Sequence, residues 1–288
     1  MQVKLINYTQ NALETLLYTK NTRLQAEASI EDVVAWSEEK KLKELDYMLK
    51  TIQSSWEFVD YTFEITGVSR AFTHQLVRTR DGSYAQQSQR TVDMSDSFDF
   101  VMPDNMDNYN IEMHGSFLDR GEEFLQNVVD GIKSNYRMMV DSGVPPQDAR
   151  SILPTNTATN IIAKFDLRTL SHMAKTRLCT RTQGEYQKIF KAMKAEVVKV
   201  HPWAEKFIRV YCSAVGVCQF PNYKECPIKP DIFNPESGKK WAQTEEYNLP
   251  KNSIRLNDCE IRPATKDEIE AGFLKMNFEA VPLWKGNS

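Results

Sequence analysis

Residues 119–140 carry a helical pattern, with Phe124, Val128, Val129, Ile132, Tyr136 and Met139 falling on one apolar stripe. The pattern stops at DSGVPP, where Gly143 and the Pro145–Pro146 pair close off a helix. A stripe of that length has to cover another apolar layer. Two runs rich in aromatic and β-branched residues read as strands that can supply it: YTFEITGV at 61–68 and TNIIAKFD at 159–166. Val3 and Leu5 alternate with polar neighbours in a further short strand.

Other segments fall into place around these. Ser29-x-x-Asp32 is a helix start, and Leu42, Leu45, Leu49 and Ile52 then recur at helical spacing among lysine and glutamate. The strand at 61–68 is expected to end at Gly67 and to lead into a helix over 69–78. Residues 81–90, DGSYAQQSQR, have turn and loop chemistry, and 93–116, rich in Asp, Asn and Met, read as a long loop or lid. Residues 167–200 form one or two amphipathic helices halted by His201-Pro202, and 204–215 are expected to be helical again. Beyond Phe220 the character changes. Seven of the 12 prolines lie there, with one helix start at Thr265-x-x-Glu268, so 220–288 read as an extended appendage to a domain formed by 1–219.

Composition narrows the class. Apolar residues at 41% and charged residues at 26% describe an ordinary water-soluble chain. No run approaches the roughly 18 apolar residues of a membrane span, so no membrane partner is expected. A formal charge of −3 gives no case for a nucleic-acid coat. An opening MQVKLINYTQ without an apolar core, together with five cysteines, points to a reducing, cytoplasmic setting. Cys212, Cys218 and Cys226 lack the CxxC spacing of a structural zinc site, so no metal is expected. Neither GxGxxG nor GxxxxGK[ST] occurs, nor HExxH or GxSxG. Phosphate binding in this chain therefore has to use arginine.

Arginine is densest in RAFTHQLVRTRDGSYAQQSQR, residues 70–90. Arg78 and Arg80, at i and i+2, cannot face the same way on a helix and can reach two ligands from a helix–loop junction. Arg90 with Ser88 can clamp a phosphate, and the neighbouring glutamines offer the donor and acceptor that a pyrimidine edge requires. A solvated charged loop is the competing account of the same residues. Arg150 follows in QDARSILP at 147–154, and FDLRTLSHMAKTRLCTR at 165–181 puts Arg168 and His172 on one helix face with Arg177 on another. One helix can thus serve two ligands or two subunits.

Order and spacing here resemble the flavin-dependent thymidylate synthases. That family's signature is Arg-His-Arg, seven residues, then Ser-x-Arg. This chain has Arg78-Thr79-Arg80, residues 81–87, then Ser88-Gln89-Arg90. YTFEITGVSRAFTHQLVR, DARSILP and RLCTRTQ are similar to further family segments, so the resemblance spans roughly 40–190. It implies an α+β fold in which an antiparallel sheet is flanked by long helices. It also implies a homotetramer whose active sites are each built from several chains. Carried over by position, nucleotide contacts fall on Gln75, Arg78, Gln86, Gln87, Ser88, Gln89, Arg90, Arg150 and Arg177. Flavin contacts fall on Arg78, Thr79, Arg80, Gln86, Asp166, Arg168 and His172. Arg177 takes the catalytic position that promotes ionisation of the uracil ring. The implied reaction methylates C5 of dUMP to give dTMP, with FAD, methylenetetrahydrofolate and NADPH.

The departures cluster on one side. Thr79 replaces the signature histidine, and Asp166 stands where the family often has asparagine. Upstream, where the family often shows Gly-His and then Glu-His, residues 51–58 read TIQSSWEF, with Ser54 and Glu57 kept and both histidines gone. The nucleotide side thus fits the family better than the flavin and folate side. A hydroxymethylase on the same scaffold and a non-catalytic nucleotide-binding homologue are the alternatives this raises. A cysteine nucleophile is a further one. However, Leu178 and Thr180 around Cys179 do not resemble the Pro-Cys-His setting of the cysteine-dependent synthases, so Cys179 reads as a packing residue.

Overall fold

The computed structural model of the chain describes residues 1–23, 29–51, 53–95, 99–215 and 226, and the backbone of 253–255 and 261–263. It divides into two compact units, Met1–Leu178 with Thr182–Ile208, and Cys179–Arg181 with Arg209–Ser288.

The first unit is α+β, built on a four-stranded antiparallel sheet. Its strands are β1 (Gln2–Tyr8), β2 (Asp60–Ser69), β3 (Ser83–Gln86) and, beyond a separate two-stranded hairpin, β6 (Ala158–Asp166), in the order β1-β2-β6-β3. Register pairs Tyr61 with Phe165, Phe63 with Ala163 and Ile65 with Ile161. All six side chains are buried, whereas Glu64, Asn160, Ile162 and Lys164 are exposed. The two-residue period thus gives the sheet one apolar face and one wet face. Helices α1 (Ala12–Arg23), α4 (Arg70–Leu76), α7 (Leu167–Arg177) and α8 (Gly184–Val200) contribute Leu16, Leu17, Phe72, Leu170, Ile189 and Phe190 to the same core. Each such fully buried side chain contributes about 1.5–3 kcal/mol of hydrophobic stabilisation.

Several elements differ from what the sequence pattern predicts. Gly67 does not end β2. At φ +64° it forms a bulge between Ile65 and Val68, and the strand resumes to Ser69. The polar stretch 81–90 contains β3, an edge strand whose ladder partner is β6. The region expected as a loop at 93–116 contains strand β4 (Asn110–Met113), hairpin-paired with β5 (Ser116–Arg120) through His114 and Gly115, both at positive φ. Residues 204–215 do not form one helix; a 3-10 turn at Pro202–Lys206 is followed by the short α9 (Tyr211–Val215) of the second unit. The short α2 (Ile30–Val34) starts at Ser29 with the expected capping box. The next helix, α3 (Glu38–Met48), stops at Leu49, and Ile52 lies outside the described residues. The pattern over 167–200 resolves into α7 and α8, and α8 ends at His201-Pro202 as expected.

The long helix α5 (Gly121–Asp141) covers a second core cluster of Met94, Val129, Tyr136 and Ala149; the last belongs to α6 (Pro146–Ala149). In the second unit, strands β7 (Ser253–Arg255) and β8 (Ile261–Pro263) pair antiparallel. Most of the appendage expected at 220–288 lies outside the described residues. No helix among the described residues is long and apolar enough to cross a membrane.

One topological fact positions the arginine-bearing segments. Strands β2 and β6 are antiparallel neighbours, and each runs directly into a helix through an N-cap. Ser69 accepts from the Phe72 N–H at 3.0 Å, and Asp166 accepts from the Thr169 N–H at 2.6 Å. Register places Ser69 opposite Ala158 and Asp60 opposite Asp166. The chain leaving β2 therefore meets the chain entering β6, and the reverse holds at the other end.

Candidate active site

At the first end, Arg70 opens α4 beside the 3-10 turn Arg150–Ile152 that leads into β6. The Arg70 guanidinium donates to the Gln87 carbonyl at 3.3 Å, and Gln87 N–H donates to the Asn160 carbonyl of β6 at 3.0 Å. Arg150 Nε donates to the Gln147 carbonyl at 3.0 Å. Desolvation, and then the neighbouring charge of Arg150, hold Arg70 below the ordinary guanidinium value. Like charges that act on each other favour an anionic neighbour. An open cavity of about 570 Å³ lies here, lined by Gln89, Gln147, Asp148, Arg150 and Ser151. Ser88 and Arg90 form a local turn in which Ser88 Oγ accepts from the Arg90 N–H at 3.1 Å. Arg70 received no role from the sequence, although it stands in the same arginine-rich segment.

Further along α4 the signature begins. Gln75 Nε2 donates to Gln183 Oε1 at 2.8 Å, tying α4 to the start of α8, and Gln86 Nε2 donates to Thr73 Oγ1 at 2.8 Å. Glu185, in the first turn of α8, accepts from both the backbone N–H of Ser69 at 2.7 Å and its hydroxyl at 2.5 Å. The turn after α4 is pinned by Tyr84, whose hydroxyl donates to the Leu76 and Thr79 carbonyls at 3.1 and 2.6 Å. Burial pushes that phenol up to about 12, so it stays a donor. Gly82 is required by close approach, because a Cβ there would lie 2.4 Å from Tyr84 Oη and 2.6 Å from Phe165. The pinned turn leaves Arg78 and Arg80 exposed on either side of Thr79.

Helix α7 connects the two ends, rising about 16 Å over its 11 residues. At its C-terminal end, Arg177 lays its guanidinium over the face of Tyr186, with Cζ 4.3 Å from the ring centroid. Among the described residues no carboxylate pairs with Arg70, Arg78, Arg80, Arg90, Arg150 or Arg177.

The N-terminal end of α7 is different. Asp166 is engaged as the cap, and Arg168 forms an ion pair with Glu57. His172 Nε2 lies 3.1 Å from Gln53 Oε1. Gln53 and Glu57 belong to a 3-10 turn, Gln53–Phe58, immediately before β2, so this i,i+4 pair faces the Arg168/His172 pair of α7. Partial desolvation, then the cations Lys175 and Arg168, lower the His172 pKa, which favours the neutral ring. The sequence marks Glu57 as kept and the histidines near it as lost. Gln53 gives no signal there as the residue that meets His172. Among the described residues no group of three or more His, Cys, Asp or Glu side chains could hold a metal ion.

These contacts leave three groups within one chain: Arg70, Gln87 and Arg150 at one end of the sheet, Thr79 and Arg177 with Tyr186, and Arg168 with His172 at the other end.

Comparisons with known proteins place most of the chain in one family. The family described as thymidylate synthase complementing protein matches residues 4–203. A flavin-dependent thymidylate synthase from Pyrococcus furiosus is 32% identical over 256 residues, covering 85% of this chain and 98% of its own. Another from Sulfurisphaera tokodaii is 32% identical over 213 residues, covering 74% and 79%. Among solved structures, the UMP/dUMP methylase PolB from Streptomyces cacaoi, bound with 5-Br dUMP, superposes with a TM-score of 0.58. It is 19% identical and covers 73% of this chain and 97% of its own, a likeness of fold.

Proposed function

Because this chain belongs to the flavin-dependent thymidylate synthase family, and is an enzyme of that kind, we propose that it methylates C5 of dUMP to give dTMP. The observation that carries this reading is the set of guanidiniums without carboxylate partners among the described residues, with Arg150 lining a polar cavity and Arg177 held on an aromatic face. Unneutralised cations on a folded surface favour an anionic ligand. Arg90, Arg150, Ser88 and Gln89 hold the phosphate end. Gln75, Gln86 and Gln87 address the pyrimidine, and Arg177 stabilises negative charge as it develops on the base.

For the flavin, Arg78 and Arg80 fit an anionic dinucleotide, since both are exposed and unpaired with acid. Gln86, Thr79 and the neutral His172 offer hydrogen bonds to its polar groups. Asp166 serves through the α7 cap that it forms, and Arg168 reaches the cofactor by leaving Glu57. FAD when bound supplies the reducing equivalent that NADPH provides, and methylenetetrahydrofolate supplies the carbon. The protein's own contribution is to orient these molecules and to set the charge around the base. The separation of the site groups supports a homotetramer with shared sites. The exposed Val128 and Met138 of α5, beside an apolar cavity of about 510 Å³, suit subunit contact. Residues 1–219 form the catalytic domain in this reading, with 220–288 as its extension.

Incubation of the purified chain with dUMP, FAD, methylenetetrahydrofolate and NADPH, followed by mass spectrometry of the nucleotides, tests the proposal. A methylated product is expected. A hydroxymethylated product would transfer the reading to the variant reaction, and unchanged dUMP in the presence of bound flavin would overturn it.

A further inference from the structure

Arg177 has no acidic partner among the described residues, yet it does not lie loose in solvent. Its neighbour is an aromatic face. Tyr186 sits in the first turn of α8, fully buried, with Phe72 edge-on to it at 4.9 Å and 90°. Glu185, one residue earlier, fixes that turn to the N-cap of α4 through two hydrogen bonds to Ser69. The ring therefore has no freedom to follow Arg177; Arg177 has to follow the ring.

An arginine that stabilises negative charge on a base faces conflicting demands. It has to be held in one place, and a carboxylate would hold it only by neutralising it and competing with the base. A ring face attracts the guanidinium without contributing a full negative charge. The Tyr186 hydroxyl adds little to this restraint. It is buried with Thr79 and Arg177 as polar neighbours, and makes no hydrogen bond of normal geometry to either. Thr79, beside the Tyr186 hydroxyl, occupies the signature-histidine position.

We propose that Tyr186 is a positioning residue for Arg177: its ring face holds the guanidinium oriented and still fully cationic before the nucleotide arrives. This rests on the nucleotide-binding reading of Arg177. The ring, and not the hydroxyl, is the working part.

The test is calorimetric titration of the full chain with dUMP, run on wild type, Tyr186→Phe, Tyr186→Leu, Arg177→Ala and the Tyr186→Leu/Arg177→Ala double variant. Tyr186→Phe should bind within about twofold of wild type, and Tyr186→Leu about three- to thirtyfold more weakly. In the Arg177→Ala background, Tyr186→Leu should cost nothing further, because its effect passes through Arg177. Additive losses would overturn the inference and mark Tyr186 as core packing alone, and a loss in Tyr186→Phe equal to that in Tyr186→Leu would overturn it by moving the role to the hydroxyl. A ligand-free crystal structure of the wild-type chain gives a measure that needs no folded variant. Arg177 should be ordered on the ring, and an Arg177 turned elsewhere overturns the inference by itself. Wild-type protein that fails to bind dUMP, or an Arg177→Ala variant that binds it normally, would instead overturn the nucleotide reading and this inference with it.

Discussion

The two ends of the β2–β6 strand pair present the same residue types in opposite electrostatic states. Where β2 runs into α4, the charge of Arg150 bears on Arg70, and neither these two nor Arg78, Arg80 and Arg90 carry an acidic partner among the described residues. Where β6 runs into α7, Arg168 pairs with Glu57, His172 meets Gln53, and Asp166 is used as a cap. The first end leaves its guanidiniums without acids, and the second pairs its own. Antiparallel pairing produces both, because each end joins the exit of one strand to the entrance of the other. Two of the sequence departures, Asp166 and the stretch 51–58, fall at the closed end, and the third, Thr79, lies between Arg78 and Arg80.

The largest effect is expected at the residue where α7 reaches the open end. Arg177→Ala should lower the rate of dTMP formation about 10²–10³-fold, the usual consequence of removing one charge-stabilising donor. Cys179→Ala should keep most of the activity, because no covalent step is assigned to it. A folded, nucleotide-binding Cys179→Ala enzyme that forms no product would replace charge stabilisation with a cysteine nucleophile.

Next comes the selectivity of the two ends for their ligands. Arg90→Ala and Arg150→Ala should each weaken dUMP by about 1.5–3 kcal/mol, roughly 10- to 150-fold in Kd, the range for a lost charge-assisted hydrogen bond. FAD affinity should change far less. Parallel titrations of both ligands decide the matter, and equal losses would erase the distinction between the ends.

The open end was also the more legible one in the sequence. Arg78-Thr79-Arg80, Ser88 and Arg90 stand out because their spacing resembles the family signature, and Arg150 because DARSILP resembles a further family segment. The closed end depends on a facing turn more than a hundred residues away in sequence, so Gln53 could not be tied to His172 before the fold was known. The same holds for Tyr186, whose ring reads as α8 core until Arg177 is seen over it. In the fold, aromatic and β-branched content exposed β2 and β6, but β3 was hidden because SYAQ is a polar edge strand that gains its place from the β6 ladder. The β4–β5 hairpin was hidden by a His-Gly turn lacking the usual Asn-Gly or Asp-Gly signal. For α1 a signal was present: Ala12, Leu13, Leu16 and Leu17 share one face, and all are buried.

A smaller effect should come from opening the closed end deliberately. Glu57→Gln removes the acid from Arg168 while keeping the side chain's shape. The pair is solvent-exposed, so stability should fall by no more than about 1 kcal/mol. Released Arg168 should strengthen FAD binding and leave dUMP affinity unchanged. Thermal melts with the two titrations provide the check. A matching change in dUMP affinity would mean that the two ends are not independent.

The smallest expected effect is a pH response confined to the closed end. The group there that titrates near neutral pH is His172. Partial desolvation, with Lys175 and Arg168 next in importance, lowers its pKa in the folded chain below the ordinary 6.5. Between those two values the unfolded chain binds more protons than the folded one, so stability rises with pH. The contribution is fully present above about pH 6.5 and is lost as the pH falls through that value toward the lowered one. Buried His201, lowered chiefly by desolvation, acts with the same sign, so the whole-chain melting curve alone cannot isolate His172. The difference between wild type and His172→Gln can. The variant should lose less melting temperature than wild type between pH 7.5 and 5.5, with His201 unchanged in both. Identical slopes for the two proteins would show that His172 is solvated as an isolated surface histidine, and that its contact with Gln53 does not restrain it.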